Sequence, residues 1–181
     1  MTAPGTGYTG TAVALHWTAA GLIVCGFAVG LWMTGLVLGP LKLKWYAYHK
    51  WIGITVFLLA ALRIAWRWRH PPPPPVPMPQ WQRRAAAATH LLLYALMFLI
   101  PLSGWTYSSA TGISVVYLGL VPLPDLVAKD KSLAAVLKAV HGTLNYTLLA
   151  LVIVHAGAAL KHHLVDRDGV LARMLPYGRR A

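Results

Sequence analysis

Two histidines in the last apolar segment of the sequence, His141 and His155, lie fourteen residues apart. In an α-helix each residue turns about 100° and rises about 1.5 Å, so this spacing ends within about 40° of four full turns and about 21 Å further along the axis. Both side chains would therefore face one direction at two depths. A neutral imidazole is a common ligand of transition metals and of haem iron, so each depth is a candidate cofactor level.

Two further histidines supply a partner at each level if the chain crosses a membrane four times in alternating directions. His49 opens the second apolar segment and would lie level with His141, whereas His16 is early in the first segment and would lie near the level of His155. Two axial imidazoles close the coordination of a haem iron and leave it for electron transfer rather than oxygen binding. The spacing therefore predicts two haems, each held by a histidine pair.

Two other interpretations of these histidines remain open. Zinc or copper would need three or four ligands that converge on one point, and four histidines split between two depths do not converge. An intramembrane histidine can also serve only to hydrogen-bond a neighbouring helix. A protein of that second kind would bind no haem.

The composition indicates a chain whose solvent is mostly lipid. Of its 181 residues 57% are hydrophobic and 11% are charged, whereas soluble domains carry about 25% charged residues. The net charge is +12, but the basic residues flank long apolar runs, which is typical of membrane topology and not of nucleic-acid binding. The single Cys25 excludes an internal disulfide and a thiolate metal site.

Four segments are long and apolar enough to span a bilayer, which takes about 20 residues. They predict a single membrane domain over residues 1–181, with helices at about 11–38, 46–66, 85–107 and 133–164. No basic region precedes the first segment and no cleavage signal follows it, so we expect it to be retained. The predicted fold class is all-α, an integral membrane four-helix bundle that holds two b haems.

The connecting loops predict the orientation. Residues 70–80 form a proline-rich inner loop, because the five prolines from Pro71 to Pro75 cannot continue a helix. Residues 108–132 form an outer loop, whose apolar part is broken by prolines and is expected to make a short interfacial helix. Lys and Arg are in modest excess in the inner loop and the C-terminal tail, so both termini are predicted to be cytoplasmic.

Three more polar side chains would lie near the inner haem level. His162 continues the His155 face about two turns further on, and it either donates a hydrogen bond to a quinone carbonyl or is solvated at the interface. His90 either contacts quinone or a haem propionate, replaces His16 as a ligand, or packs. Arg63 lies deep in the second helix and either binds a haem propionate or snorkels to the inner headgroups.

The outer side carries more lysine than acid. A positive entrance near the outer haem would concentrate a small anion such as superoxide, and contact with lipid phosphates explains the same residues equally well. The residues are Lys42, Lys44, Lys50, Lys129, Lys131 and Lys138, against Asp125 and Asp130.

Small residues recur on the predicted helices. They would let a macrocycle approach the backbone closely, and ordinary packing between membrane helices explains them as well. They are Gly21, Gly26, Gly30, Gly53, Gly104, Ala156 and Gly157.

The ordered set of motifs resembles the bacterial cytochrome b561 family, over nearly the whole chain. The motifs are Leu15-His16-Trp17, Tyr48-His49-Lys50, Thr89-His90-Leu91, His141, His155, Lys161-His162-His163 and Arg173-Met174-Leu175-Pro176. The related cytochrome b subunits of formate dehydrogenase and nickel–iron hydrogenase share the fourteen-residue histidine spacing. The resemblance implies a four-helix bundle, two b haems, the same four ligands and quinone chemistry, with superoxide oxidation coupled to ubiquinone reduction in some members.

The histidines and the resemblance together predict a di-haem b-type cytochrome. It would transfer electrons across the bacterial inner membrane from an outer-side donor, with superoxide as the candidate, to ubiquinone. In such an oxidoreductase the protein chiefly sets the position and potential of the haems. The alternative is a membrane-anchor electron carrier that serves a dehydrogenase or hydrogenase through a redox partner protein and has no catalysis of its own.

Overall fold

The computed structural model describes residues 7–175, which are mostly helical. Four long helices, α1 to α4, are followed by two short turns of helix. Their bounds are Gly10–Gly35 for α1, Pro40–Arg69 for α2, Gln80–Thr111 for α3 and Lys131–Lys161 for α4, then a π-helical turn at His162–Asp166 and a 3-10 turn at Ala172–Met174. All four long helices in this described range are long and apolar enough to cross a membrane, which confirms the predicted all-α membrane bundle.

Consecutive helices pack side by side and run in opposite directions. The start of α1 meets the end of α2, where Arg63 contacts His16, and the end of α3 meets the start of α4, where Ser103 contacts His141. We call one end of the bundle the proline-loop end, after residues 70–79. The other is the hairpin end, after the short β-hairpin between α3 and α4.

Two small layers of buried apolar side chains join the helices in the middle of the bundle. One joins α1, α2 and α3, and the other joins α3 and α4, with side chains of α1 packed against it. The residues are Ala19, Val56, Ala60 and Met97 in the first layer and Leu96, Ile100 and Leu148 in the second. Most other apolar side chains of the helices face outward, where lipid would cover them.

The helix ends differ from the sequence prediction for local reasons. The helix α2 begins at Pro40 instead of about residue 46, because proline is well suited to the first helical position. The helix α3 covers more than the expected 85–107. It begins at Gln80 and continues to Thr111, and it ends where Gly112 adopts a left-handed conformation with φ of 76°.

The segment after α3 forms a hairpin in place of the expected interfacial helix. Strand β1, Val116–Tyr117, pairs antiparallel with strand β2, Val121–Pro122. Between them Leu118 and Gly119 have φ of 54° and 73°, which is the backbone region that tight hairpin turns require. The prolines in this segment also lack the N–H groups that a helix would use.

Tryptophans hold this hairpin over the end of the bundle. The indole N–H of Trp51 in α2 donates to the carbonyl of Val116 at 2.7 Å. The indole N–H of Trp105 in α3 donates to the carbonyl of Pro124 at 3.0 Å. The hairpin is therefore anchored to two of the helices that carry the candidate site.

The C-terminal segment is anchored in the same way at the opposite end. The indole N–H of Trp17 donates to the carbonyl of Met174 at 2.7 Å. Arg173 donates from Nη1 to the carbonyl of Pro74 at 2.7 Å. These bonds tie the segment after α4 both to α1 and to the proline-rich loop.

Candidate functional site

At the hairpin end, His49 of α2 and His141 of α4 face each other. Their ring centroids are 6.2 Å apart and their planes are inclined by 84°. A metal–nitrogen bond is about 2 Å long, and the ring centre lies about 1 Å beyond the nitrogen. Two imidazoles that bind one iron from opposite faces therefore have ring centroids about 6 Å apart. The observed separation fits that arrangement.

At the proline-loop end, His16 of α1 and His155 of α4 form a second pair. Their ring centroids are also 6.2 Å apart, with planes inclined by 67°. The structure therefore brings together the same two pairs that helix pitch and alternating topology predict, and α4 contributes one histidine to each.

The ring of His141 is held by hydrogen bonds from its second nitrogen. Its Nδ1 lies 3.1 Å from the carbonyl oxygen of Ile100 and 3.0 Å from Oγ of Ser103. Ser103 uses its own hydroxyl proton to bond Ile100 at 2.8 Å, so its oxygen accepts from Nδ1. A histidine whose Nδ1–H is bonded in this way presents the lone pair of Nε2, as metal-binding histidines usually do.

Each ring of the hairpin-end pair lies against a glycine. A Cβ at Gly30 would be 3.1 Å from Cε1 of His49, and a Cβ at Gly104 would be 2.9 Å from Cε1 of His141. Only glycine leaves room for the rings at these two positions. Nδ1 of His49 is buried and has no hydrogen-bond partner among the described residues, which is costly unless the ring gains another bond.

A largely apolar cavity opens onto the hairpin-end pair. Its volume is about 200 Å³, whereas common small-molecule sites enclose about 300–1,000 Å³. Both histidines line it, together with Gly104, Tyr46 and Lys50. Apolar walls with a cationic group suit a large flat ring that carries carboxylates.

His90 lies nearer to His155 than His16 does. The ring centroids of His90 and His155 are 5.2 Å apart, which is about 1 Å too short for two rings on opposite faces of one iron. His16 is therefore the better placed of the two as a ligand partner for His155. His90 lies next to this pair, where its side chain could contact a further ligand.

Arg63 points into the same group of residues. Its Nη2 lies 3.2 Å from Nδ1 of His16, and its guanidinium carbon lies 5.3 Å from the ring centre of Tyr94. Arginine can only donate, so this contact requires the lone pair of His16 to be on Nδ1. A ligand bond through Nε2 would place a proton on Nδ1 and free Arg63 for an anion.

His162 begins the π-helical turn and lies partly buried beside two carboxylates. Its side chain is 16% exposed, and Nδ1 lies 2.5 Å from Oδ2 of Asp168 and 3.2 Å from Oδ2 of Asp166. Lys161 also bonds that Asp166 oxygen, at 2.6 Å.

Sequence reasoning missed Ser103, Asp166 and Asp168. A signal for the two aspartates was available, because the chain has only four acidic residues and two of them follow His162 closely. Ser103 had no comparable signal, since its contact with His141 crosses between helices and joins positions 38 residues apart.

Known proteins with similar sequences identify the family of this chain. A family model described as prokaryotic cytochrome b561 matches residues 7–177. The chain is 36% identical over 167 residues to cytochrome b561 homolog 2 of Escherichia coli (strain K12), which covers 90% of this chain and 87% of that protein. Cytochrome b561 homolog 1 of the same organism is 36% identical over 99 residues, covering 53% and 54%. The probable superoxide oxidase CybB of Yersinia pestis is 34% identical over 93 residues, covering 50% and 51%.

The helical bundle and these relatives define the chain as a membrane electron-transfer cytochrome of the bacterial inner membrane. Within that class, the chain belongs to the prokaryotic cytochrome b561 family. The family implies b-type haem, and the residues present fit such a group. The paired imidazoles have a suitable separation, glycines lie against two of the rings, and an apolar cavity reaches one pair.

Proposed function

We propose that this chain is a di-haem cytochrome that takes electrons from a small anionic donor outside the inner membrane and delivers them to ubiquinone inside. The observation that carries the proposal is the presence of histidine pairs at both ends of the bundle, each with centroids 6.2 Å apart. Two levels are needed because electrons must cross the membrane. Haem b, when bound, supplies reversible one-electron iron chemistry.

The histidines hold and space the two haems. His49 and His141 are the ligands at the hairpin end, and His16 and His155 are the ligands at the proline-loop end. The two α4 histidines are separated by about 21 Å along the helix axis, so the edges of the two haems would lie closer than that. Two imidazoles leave no open position on an iron, so the donor does not need to bind the metal.

The hairpin end is suited to an anionic donor. Lys50 lines the cavity beside His49, and its Nζ lies 3.3 Å from the carbonyl of Ile113. The positive field of the surrounding lysines raises the local concentration of a small anion. The name of the Yersinia pestis relative, a probable superoxide oxidase, favours superoxide as that anion.

The proline-loop end is suited to quinone. Each superoxide gives up one electron and leaves as oxygen, and ubiquinone takes two electrons and two protons, so two superoxide ions are consumed per quinol. His162 donates a hydrogen bond to a quinone carbonyl, and His90 provides a second polar contact. Arg63 binds a propionate of the haem held by His16, since a buried arginine needs an anion.

The modest excess of Lys and Arg at this end supports an orientation with this end and both termini in the cytoplasm. The protons for the quinone then come from the cytoplasmic side. A redox partner protein is not needed, since the donor is small and the acceptor is dissolved in the lipid.

Stopped-flow mixing of the purified protein with superoxide tests this function. We expect two haems per chain, rapid haem reduction by superoxide, and formation of one quinol per two superoxide ions when a short-chain ubiquinone is present. Added superoxide dismutase is the control and should abolish the reaction. Quinone reduction no faster than the spontaneous rate would overturn the proposal and favour the membrane-anchor alternative.

The same reaction should depend on salt. We expect the second-order rate of haem reduction by superoxide to fall several-fold between about 10 mM and 150 mM salt, because the Debye length falls from about 30 Å to about 8 Å. Reduction by a neutral donor is the control and should change little. A superoxide rate independent of salt would show that the lysines do not steer the donor.

A further inference from the structure

The turn that follows α4 holds a carboxylate against His162. The backbone N–H of Asp168 donates to the carbonyl of His162 at 3.3 Å, and Arg167 adopts a left-handed conformation with φ of 52°. The chain therefore folds back on itself directly after the π-helical turn. This reversal brings the side chain of Asp168 next to the imidazole of His162, six residues earlier in the chain.

Both oxygens of Asp168 are engaged. Oδ1 accepts from the backbone N–H of Val170 at 3.1 Å, and Oδ2 lies 2.5 Å from Nδ1 of His162. Partial burial raises the pKa of the Asp168 carboxyl, but the hydrogen bonds from Val170 and His162 lower it, and the net shift is downward. Asp168 is therefore ionised near neutral pH, and an ionised carboxylate can only accept.

The bond therefore defines the tautomer of His162. Because Asp168 can only accept, Nδ1 of His162 must carry a proton, and this proton is the one that the carboxylate binds. The remaining nitrogen, Nε2, is the only one left to exchange a proton with a ligand. A carboxylate that orients a histidine in this way also stabilises the charged ring when it gains a second proton.

We infer that Asp168 is a positioning residue for quinone protonation, which keeps Nδ1 of His162 protonated so that Nε2 meets the quinone carbonyl. The inference rests on the proposed quinone role of His162. In each catalytic cycle Nε2 first takes a proton from cytoplasmic water, and the charged ring then donates its Nε2–H to the quinone oxygen and gives that proton to it, while the Nδ1 proton stays on the ring. The second proton of the quinol comes from cytoplasmic water at the other quinone oxygen. Asp168 itself touches no substrate.

Asp166 is a less suitable partner, although it lies on the same turn. Its Oδ2 is 3.2 Å from Nδ1 of His162 but 2.6 Å from Nζ of Lys161. Lys161 therefore satisfies this oxygen. The side chain of Asp166 is also more exposed, at 29% compared with 22% for Asp168. Asp166 thus provides a matched comparison, an acid beside the same ring with another principal partner.

The substitution Asp168→Asn tests the inference, because it replaces the hydrogen-bond acceptor beside Nδ1 of His162 with a donor. An amide has one oxygen, and the backbone N–H of Val170 requires it. The amide nitrogen then faces Nδ1 of His162 and can only donate, so the ring must move its proton to Nε2. We expect quinone reduction to fall about 10- to 100-fold through kcat, with little change in KM.

The tautomer can be measured without quinone. In the reduced, diamagnetic protein with ¹⁵N-labelled histidine, Nδ1 of His162 should be protonated in the parent chain and in Asp168→Glu, and unprotonated in Asp168→Asn. The variant Asp166→Asn should keep the parent tautomer and lose less than about two-fold of kcat. Equal effects of the two asparagine substitutions, or an unchanged tautomer in Asp168→Asn, would overturn the inference.

Haem content shows whether the bundle is intact in these variants. If Asp168→Asn lost haem, Asp168→Glu would decide, since it keeps a carboxylate. A glutamate variant with full haem content and an inverted tautomer would contradict the inference. A parent protein that reduces no quinone would refute the proposed function, while the NMR comparison would still test whether Asp168 sets the tautomer.

Discussion

Alanine at His49 or His141 should remove one haem from the chain and leave the other, and alanine at His16 or His155 should remove the other haem. The two rings of each pair have centroids 6.2 Å apart, so each iron loses an axial ligand when either partner is truncated. Haem quantitation and reduced-minus-oxidised spectra on the purified variants measure this loss. The content should fall from two haems per chain to about one, since each haem relies on its own two ligands.

His90→Ala is the matched control for this experiment. His90 lies among the same residues, but its ring is 5.2 Å from that of His155, too close for a ligand pair across one iron. The variant should keep both haems and lose only quinone reduction. Retention of both haems in His16→Ala, together with loss of one in His90→Ala, would reassign the second ligand.

Gly104→Ala should weaken haem binding at the hairpin end while binding at the other end stays unchanged. The new Cβ would lie 2.9 Å from Cε1 of His141. The ring cannot move aside freely, because Ser103 and Ile100 hold its Nδ1. Overpacking of this kind costs about 1–3 kcal/mol, which corresponds to roughly a 5- to 150-fold loss of haem affinity.

Haem titration of the apoprotein, followed by the spectra of the two sites, measures this effect. Gly21→Ala provides the control, because a Cβ at Gly21 meets nothing within 4 Å. It should bind both haems as the parent chain does. Equal haem affinity at the hairpin end in Gly104→Ala would mean that the ring of His141 does not occupy its observed position in the loaded protein.

The helical bundle and the pairing of the histidines could be predicted from the sequence because both depend on regular helix geometry. Apolar length predicts spanning helices, and helix pitch places His141 and His155 on one face. Neither argument needs side-chain coordinates. The pairing remains a prediction about haem ligands, which the spacing of the rings supports.

The sequence shows two acids shortly after His162, but it does not show which contacts an irregular backbone makes. The bond between His162 and Asp168 exists only because the helix changes to a π turn and Arg167 adopts a left-handed conformation. The hairpin after α3 was wrongly expected to be a helix, since its apolar residues gave no sign of the turn at Leu118 and Gly119.

Because α4 is one uninterrupted helix from Lys131 to Lys161, it would fix the distance between the two haems of the proposed function. Lengthening the loops would leave this distance unchanged. One residue inserted between His141 and His155 would rotate one ligand by about 100° away from its partner, whereas seven inserted residues would nearly restore the rotation and separate the irons by about 10 Å more. In the proposed di-haem protein, the rate of electron transfer between the two sites would thus depend on the register of a single helix.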